Sequence, residues 1–448
     1  MARASTIAAI ATATGGAIGI VRLSGPDAEA IAARLFRPWP ATVESHRLYY
    51  GRVHRQDGQL LDEVMLVVMR PPRSFTGELA VEIQAHGGRL VLQQILAAAV
   101  EEGATRAAPG EFTRRAFVAG RIDLTRAEAV AQLVGAESDA ALAAARAMSG
   151  GALARRVGEA RRHVVETLAE LEGALDFPED ELQPRPLGEL QSGLARVAED
   201  LWALAKSYQK HLWASAEVLI VGRSNAGKSS LFNALCGEER ALVDEAPGTT
   251  RDLISSPLRL EEWSVLLTDS AGRRDEPDRL EQRGIALGSE RLGRADVAVL
   301  VVDGERGWGE LEAALWQELP RRRIVVWNKA DRAAFAPERL PEQLLTAAAL
   351  PAVASRGEGA DAIRAAIAAA LRDGVAPGAV AVSERQAEAL AIAAERVREA
   401  VDALAQPGVE EVAAVACRRA LATLGRVTGE TADEEILDAI FARFCIGK

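Results

Sequence analysis

Cysteine is scarce in this chain of 448 residues: only Cys236, Cys417 and Cys445 are present. Three scattered thiols are too few for a disulfide framework or a zinc site. Long apolar runs are missing as well. The longest uninterrupted strand-like run lies near Val297–Val302, far short of the ~18 residues of a membrane span. The first residues, Met1-Ala-Arg-Ala-Ser5, lack the basic-then-apolar layout of a signal peptide. A cytoplasmic protein without a membrane span is therefore expected. Lysine is nearly absent: 5 of the 53 basic residues are Lys and 48 are Arg. A strong basic excess is also lacking. The 64 acidic residues leave a net charge of −11, which argues against indiscriminate nucleic-acid binding. Residues 1–118 carry 13 basic and 11 acidic groups, and residues 214–372 carry 21 and 25. Any RNA contact should be local.

What is present supports a large core. Apolar residues make up 49% of the chain and charged residues 26%, which excludes global disorder. The length suggests about three domains. Residues 1–118 read as mixed α and β, with β-rich runs at Ile18–Leu23, Leu48–Arg52, Val64–Val68 and Leu79–Gln84 between Gly, Pro and Asp turn signals. From about Arg121, Ala, Leu, Glu and Arg dominate at helical spacing. Residues 214–372 alternate strand and helix, the pattern of a parallel sheet. Helical texture resumes after Pro377. The simplest arrangement has four segments: an N-terminal α+β domain (1–118), a first helical segment (119–213), an inserted α/β domain (214–372) and a second helical segment (373–448). Insertion is plausible because domain termini tend to lie close together.

The inserted segment carries the clearest chemistry. Val218–Val221 leads into Gly222-Arg-Ser-Asn-Ala-Gly-Lys-Ser229 and then the helical Ser230–Cys236. This is the phosphate-binding loop in its strand–loop–helix context. Gly222 and Gly227 allow backbone N–H groups to cradle phosphate oxygens. Lys228 supplies a point charge to the β/γ phosphates, and Ser229 a hydroxyl for magnesium. Three further motifs follow in order. Gly248-Thr-Thr-Arg-Asp252 offers a threonine to the magnesium shell. Asp269-Ser-Ala-Gly272 offers a carboxylate towards the metal and a backbone N–H towards the γ-phosphate. Asn328-Lys-Ala-Asp331 places a carboxylate against the two donors of a guanine edge. Together they imply a GTP site made of Asn225, Ala226, Gly227, Lys228, Ser229, Ser230, Thr249, Thr250, Asp269, Ser270, Ala271, Gly272, Asn328, Lys329 and Asp331. The position after Asp-x-x-Gly is Arg273, not the water-orienting glutamine of Ras-type enzymes. Hydrolysis must borrow another group or be very slow. Asp275, Glu276, Asp278 and Glu281 lie just downstream.

Motifs outside that segment resemble one family along nearly the whole chain. They are Ala17-Ile-Gly-Ile-Val-Arg-Leu-Ser-Gly25, Ser74-Phe-Thr-Gly-Glu78 running into Val81-Glu-Ile-Gln-Ala-His-Gly-Gly88, Pro109-Gly-Glu-Phe-Thr113, Ile122-Asp-Leu-Thr-Arg-Ala-Glu-Ala129 and the terminal Phe444-Cys-Ile-Gly-Lys448. The chain is similar to the MnmE (TrmE) family of tRNA-modification GTPases.

That resemblance implies an N-terminal folate-binding-like domain that also mediates homodimerisation, a discontinuous helical domain and an inserted Ras-like P-loop GTPase domain. It further implies modification of the wobble uridine of certain tRNAs at C5, with the flavoprotein MnmG (GidA) in a heterotetramer or larger complex. The one-carbon unit would come from a tetrahydrofolate derivative, 5-formyl- or methylene-tetrahydrofolate. It also transfers roles to matching positions. Asn225, with Asp244, Ala246 and Thr249, would hold potassium. Ser229 and Thr250 would hold magnesium, Asp244 would also line the GTP site, and Ser355 and Arg356 would lie in its base-shielding loop. Glu281 would orient water when two G domains meet. Arg22, Glu82, Arg121 and Lys448 would bind the folate, and Cys445 is a catalytic candidate. Two rival readings are a switch protein that only recruits partners and a folate-dependent aminomethyltransferase acting alone. The first leaves the folate residues idle, and the second leaves the GTPase motifs unexplained.

Overall fold

The computed structural model describes residues 5–176, 185–237, 254–269, 294–332, 349–373, 380–406 and 408–447. The chain divides into two compact units. One comprises 1–131, 148–203 and 388–448; the other comprises 132–147 and 204–387.

The first unit opens with seven strands: β1 (Ile7–Ile10), β2 (Ile18–Ser24), β3 (Phe36–Arg37), β4 (Leu48–His54), β5 (Leu60–Met69), β6 (Ala80–His86) and β7 (Thr105–Arg106). They form one sheet in the order β3-β4-β5-β6-β2-β1-β7, antiparallel except for β1 with β7. Alternation decides its two faces. Val21, Leu23, Val81, Ile83, Val64 and Leu66 are almost fully buried. They share a core with α1 (Ala28–Leu35) and α2 (Arg89–Glu101) through Ile31, Leu35, Leu92 and Ile95. The alternate residues, Arg22 and Glu82 among them, face the other way. Gly19 is needed on the packed side, since a Cβ there would stand 2.4 Å from Leu92 Cδ1.

Helices follow: α3 (Glu111–Val118), α4 (Leu124–Val134), α5 (Asp139–Ser149), α6 (Ala152–Asp176) and α7 (Leu187–Lys206). The second unit then adds β8 (Ala216–Val221), α8 (Lys228–Cys236), β9 (Ile254–Leu260), β10 (Trp263–Asp269), β11 (Val297–Asp303), α9 (Glu310–Glu318), β12 (Arg323–Asn328), β13 (Leu350–Ala352) and α10 (Ala360–Arg372). Its six strands run β13-β12-β11-β8-β10-β9, parallel except for β9 with β10. Every residue of β11 is buried. Val297, Val299 and Val301 join the core on one face, with Ile363 and Ile367 of α10. Ala298, Leu300 and Val302 join the other, with Trp316 of α9. A central strand covered on both sides has to be a continuous apolar run, which is why this stretch stands out in the sequence. Residues at the start of α5 belong to this unit: Ala140 N–H donates to Glu262 O at 3.1 Å, and Asp139 pairs with Arg259 at 2.7 Å.

The chain ends with α11 (Glu384–Leu404), α12 (Glu410–Thr428) and α13 (Glu434–Phe441). In the first unit α12 lies along α6, presenting Ala413, Ala416, Cys417, Ala420 and Leu424 on its buried face. Phe441 and Phe444 pack against Leu124 and Ala127 of α4. Cys417 and Cys236 are buried and Cys445 is exposed. Burial pushes the Cys417 thiol up to about 11, so that thiol is packing, not chemistry. Among the described residues no helix is long and apolar enough to cross a membrane.

Candidate nucleotide and folate sites

The nucleotide site is built at the carboxyl ends of the parallel strands, where open α/β sheets bind ligands. β8 ends at Val221 and the chain turns at once into the phosphate loop. Two glycines are dictated by geometry. Gly222 has φ +145, and a Cβ there would stand 2.4 Å from the Val301 carbonyl oxygen. Gly227 has φ +98, and its Cβ would stand 2.0 Å from Asn328 Nδ2. Asn225 takes φ 63, a left-handed conformation that asparagine tolerates. The loop delivers Lys228 as the first residue of α8. Backbone N–H groups at a helix start, with the helix dipole behind them, suit an anion.

Lys228 is 7% exposed. Its ammonium donates to the carbonyls of Gly222 and Arg223, both at 2.9 Å. Burial pulls its pKa below the ordinary value of 10.5, opposed by the Asp269 charge. Ser229 Oγ donates to Asp269 Oδ2 at 2.7 Å. A hydroxyl and a buried carboxylate held together form a donor set that fits a hard, oxygen-seeking cation such as magnesium.

The loop expected to read the base is tied to the phosphate loop by one side chain. Asn328, at the end of β12, is 3% exposed. Its Nδ2 donates to Ala226 O at 2.7 Å, and its Oδ1 accepts from Ala354 N–H at 3.0 Å. Asn328 therefore fixes the spacing between the phosphate cradle and the loop carrying Ser355 and Arg356. Asp331 lies 3.6 Å from Arg356 Nη2. Lys329, with φ 60, pairs with Asp303 at 2.7 Å. Asp303 is buried, which opposes its ionisation. The Lys329 hydrogen bond, the Glu305 backbone N–H and the charges of Lys329 and Arg306 together outweigh this and hold the carboxyl below its usual range.

Asp303 and Glu312 lie outside the sequence motifs, and Arg223 fills an unspecified position of the phosphate loop, although all three hold motif residues in place. Asp303 closes the apolar run of β11, and a carboxylate at the end of a buried strand was the available signal. The expected contacts Asp244, Ala246, Thr249, Thr250, Ser270, Ala271, Gly272 and Glu281, together with Arg273, lie outside the described residues, as does Lys448.

In the first unit, Arg22 of β2 and Glu82 of β6 are direct cross-strand partners. Arg22 Nε meets Glu82 Oε1 at 2.8 Å, with the two side chains 20% and 15% exposed. Arg22 Nη1 also donates to Gly447 O at 3.3 Å, and the guanidinium stands 5.7 Å from the Phe112 ring centroid. Gly447 lies tight against β1, where a Cβ would stand 2.3 Å from Ile10 O. The C-terminal tail thus reaches the Arg22–Glu82 face. Arg121 is placed against the Ser74–Glu78 loop: a Cβ on Gly77 would stand 3.0 Å from Arg121 Cγ. That loop is tied to the sheet by Ser24 Oγ, which bonds Thr76 Oγ1 and donates to Glu78 Oε2, both at 2.8 Å. Glu82 Oε2 has no protein partner among the described residues, so one carboxylate oxygen is left to accept a further hydrogen bond.

Phosphate loop, base-reading loop and doubly covered parallel sheet together define a P-loop GTPase domain, carried in a chain with an N-terminal mixed sheet and a helical region. The comparisons with known proteins give the family. A model described as the GTP-binding protein TrmE N-terminus matches residues 6–121. One for the MnmE helical domain matches residues 124–445. A relative from Chloroflexus aurantiacus named tRNA modification GTPase MnmE is 44% identical over 451 residues, covering 99% of each chain. Relatives of the same name from Symbiobacterium thermophilum and Geobacter sulfurreducens are 42% and 41% identical over 453 residues, again covering 99% of each chain. The chain belongs to the MnmE family of tRNA modification GTPases.

Proposed function

We propose that this protein hydrolyses GTP in a potassium-dependent reaction that drives modification of the wobble uridine of certain tRNAs at C5. The observation that carries the nucleotide half is the bridge through Asn328. One buried amide spaces a phosphate cradle from a base-reading loop, as a guanine nucleotide requires. Lys228 would neutralise the β/γ phosphates, and Ser229, with Thr250, would hold magnesium, whose role is to spread developing charge. Asp331 would select guanine. Asn225, with Asp244, Ala246 and Thr249, would hold potassium. Glu281 would orient the attacking water when two G domains approach each other, the task for which Arg273 is unsuited.

The folate half rests on Arg22, Glu82, Arg121 and Lys448. Glu82 presents an acceptor to a pterin, and the cations suit the anionic tail of a tetrahydrofolate derivative. Cys445 stands two residues before Gly447, whose carbonyl meets Arg22, so an exposed thiol is available close to that face. The working assembly in this reading is a homodimer joined by MnmG and tRNA in the cytoplasm. Steady-state GTP hydrolysis in potassium and in sodium at matched ionic strength tests it, for wild type and Glu281→Ala. Potassium stimulation lost in the variant, with nucleotide binding retained, is expected. Equal rates in both salts, or an unaffected variant, would overturn the roles given to Asn225 and Glu281.

A further inference from the structure

Glu312 is a buried carboxylate next to the phosphate loop, with a side chain only 1% exposed. It is the third residue of α9. Its Oε2 accepts from the Gly309 backbone N–H at 3.0 Å, a helix-start contact that fixes its rotamer. The same carboxylate receives Arg223 in a two-pronged pair, Nε to Oε1 at 3.0 Å and Nη2 to Oε2 at 3.1 Å. A Cβ on Gly309 would stand 3.3 Å from Glu312 Oε2 and 3.5 Å from Arg223 Nη2, so the helix start closes tightly on this pair.

Arg223 is the second residue of the phosphate loop. Its backbone carbonyl accepts from Ala226 N–H at 3.2 Å and from the Lys228 ammonium at 2.9 Å. One residue thus joins a buried carboxylate on a helix to the carbonyl on which the loop closes. The guanidinium also neutralises the buried Glu312 carboxylate beside the loop. We propose that Glu312 is a positioning residue for the phosphate cradle, acting through Arg223. It sets how tightly and how long a guanine nucleotide is held. This rests on the GTPase reading of the site.

The decisive variant is Glu312→Gln. An amide keeps one acceptor but turns its other end into a donor facing the Gly309 N–H or Arg223, so one of the contacts must break. Arg223→Ala is a poorer test, because it strands a buried carboxylate and threatens the fold. GDP dissociation is measured by stopped flow with a fluorescent GDP, beside kcat and KM for GTP and the unfolding midpoint. Expected for Glu312→Gln is GDP release faster by about tenfold, the scale of one charge-assisted hydrogen bond, with kcat at saturating GTP within about twofold. The exchanged pair, Arg223→Glu with Glu312→Arg, is expected to recover some of the slow release. Arg372→Ala, which removes pairs with Glu261 and Glu262 elsewhere in the same unit, is expected to leave release unchanged. A lowered unfolding midpoint with unchanged GDP release would overturn the proposal and leave Glu312 a purely structural residue. A wild type that binds no guanine nucleotide would instead overturn the reading on which it rests.

Discussion

The nucleotide site and the face proposed to bind folate are assembled on opposite principles. In the parallel sheet, the phosphate cradle is local. Gly222 to Ser229 are eight consecutive residues, and what binds is largely backbone. Side chains serve to hold that backbone, as Asn328 and Glu312 do. On the N-terminal sheet nothing is local. Arg22 and Glu82 meet because β2 and β6 are in register, Arg121 arrives after two helices, and Gly447 arrives from the far end of the chain. Backbone-built sites constrain glycine and spacing tightly and therefore leave a motif. Side-chain-built sites constrain only where a few charges end up, and their signature is diluted over hundreds of residues.

The contrast is broken most severely at Gly227. Gly227→Ala puts a Cβ 2.0 Å from Asn328 Nδ2 at φ +98. GDP affinity measured by calorimetry should fall by about 100-fold or more, a loss of about 2.7 kcal/mol, while folate affinity is unchanged. Next comes Asn328→Ala, which leaves Ala226 O and Ala354 N–H without their partner. Each stranded buried group costs about 1–3 kcal/mol, so the chemical-unfolding midpoint of the nucleotide-binding unit should drop together with GDP affinity. On the other side, Arg22→Ala removes a cation and frees Glu82. Binding of 5-formyltetrahydrofolate should weaken by about tenfold, one charge-assisted contact, with GTP turnover intact.

The smallest effect is a pH dependence. Lys228 must be protonated to hold phosphate, and its pKa in the free protein lies below 10.5 because it is buried. GDP affinity should be flat at neutral pH and fall with rising alkalinity once pH passes that lowered value, by at most about tenfold per pH unit. The sign for stability is opposite. Between the lowered value and 10.5 the unfolded chain binds more protons on this group, so the nucleotide-free protein gains stability from it as pH rises. A titration of GDP affinity against pH, with Lys228→Arg as the non-titrating comparison, checks both the window and the direction.

These differences explain how much of the molecule could be read in advance. The parallel sheet was legible because β11 had to be apolar throughout and β8 had to deliver a glycine loop. The mixed N-terminal sheet was legible as strands, through alternation at Ile18–Leu23 and Leu79–Gln84. Its strand order was not, because long-range pairing leaves no local trace. Phosphate chemistry was legible from Gly222 to Ser229. The residues behind it were not: Glu312 reads as a charge near a helix start, and Asp303 as the polar end of a strand, until their partners are known. Arg22, Glu82 and Arg121 were reached only through resemblance to a family, since no spacing joins them. The grouping of residues 132–147 with the nucleotide-binding unit was equally hidden, because α5 has the same alanine-rich texture as the helices around it.

Two separable sites, one built from backbone and one from side chains, is the central claim. It is tested most directly by measuring GDP and 5-formyltetrahydrofolate affinities side by side for wild type, Lys228→Ala and Arg22→Ala. The account predicts a crossed result, with Lys228→Ala losing the nucleotide and keeping the folate, and Arg22→Ala doing the reverse. An Arg22→Ala protein that binds folate as wild type does, or a variant that loses both ligands while still folded, would contradict it.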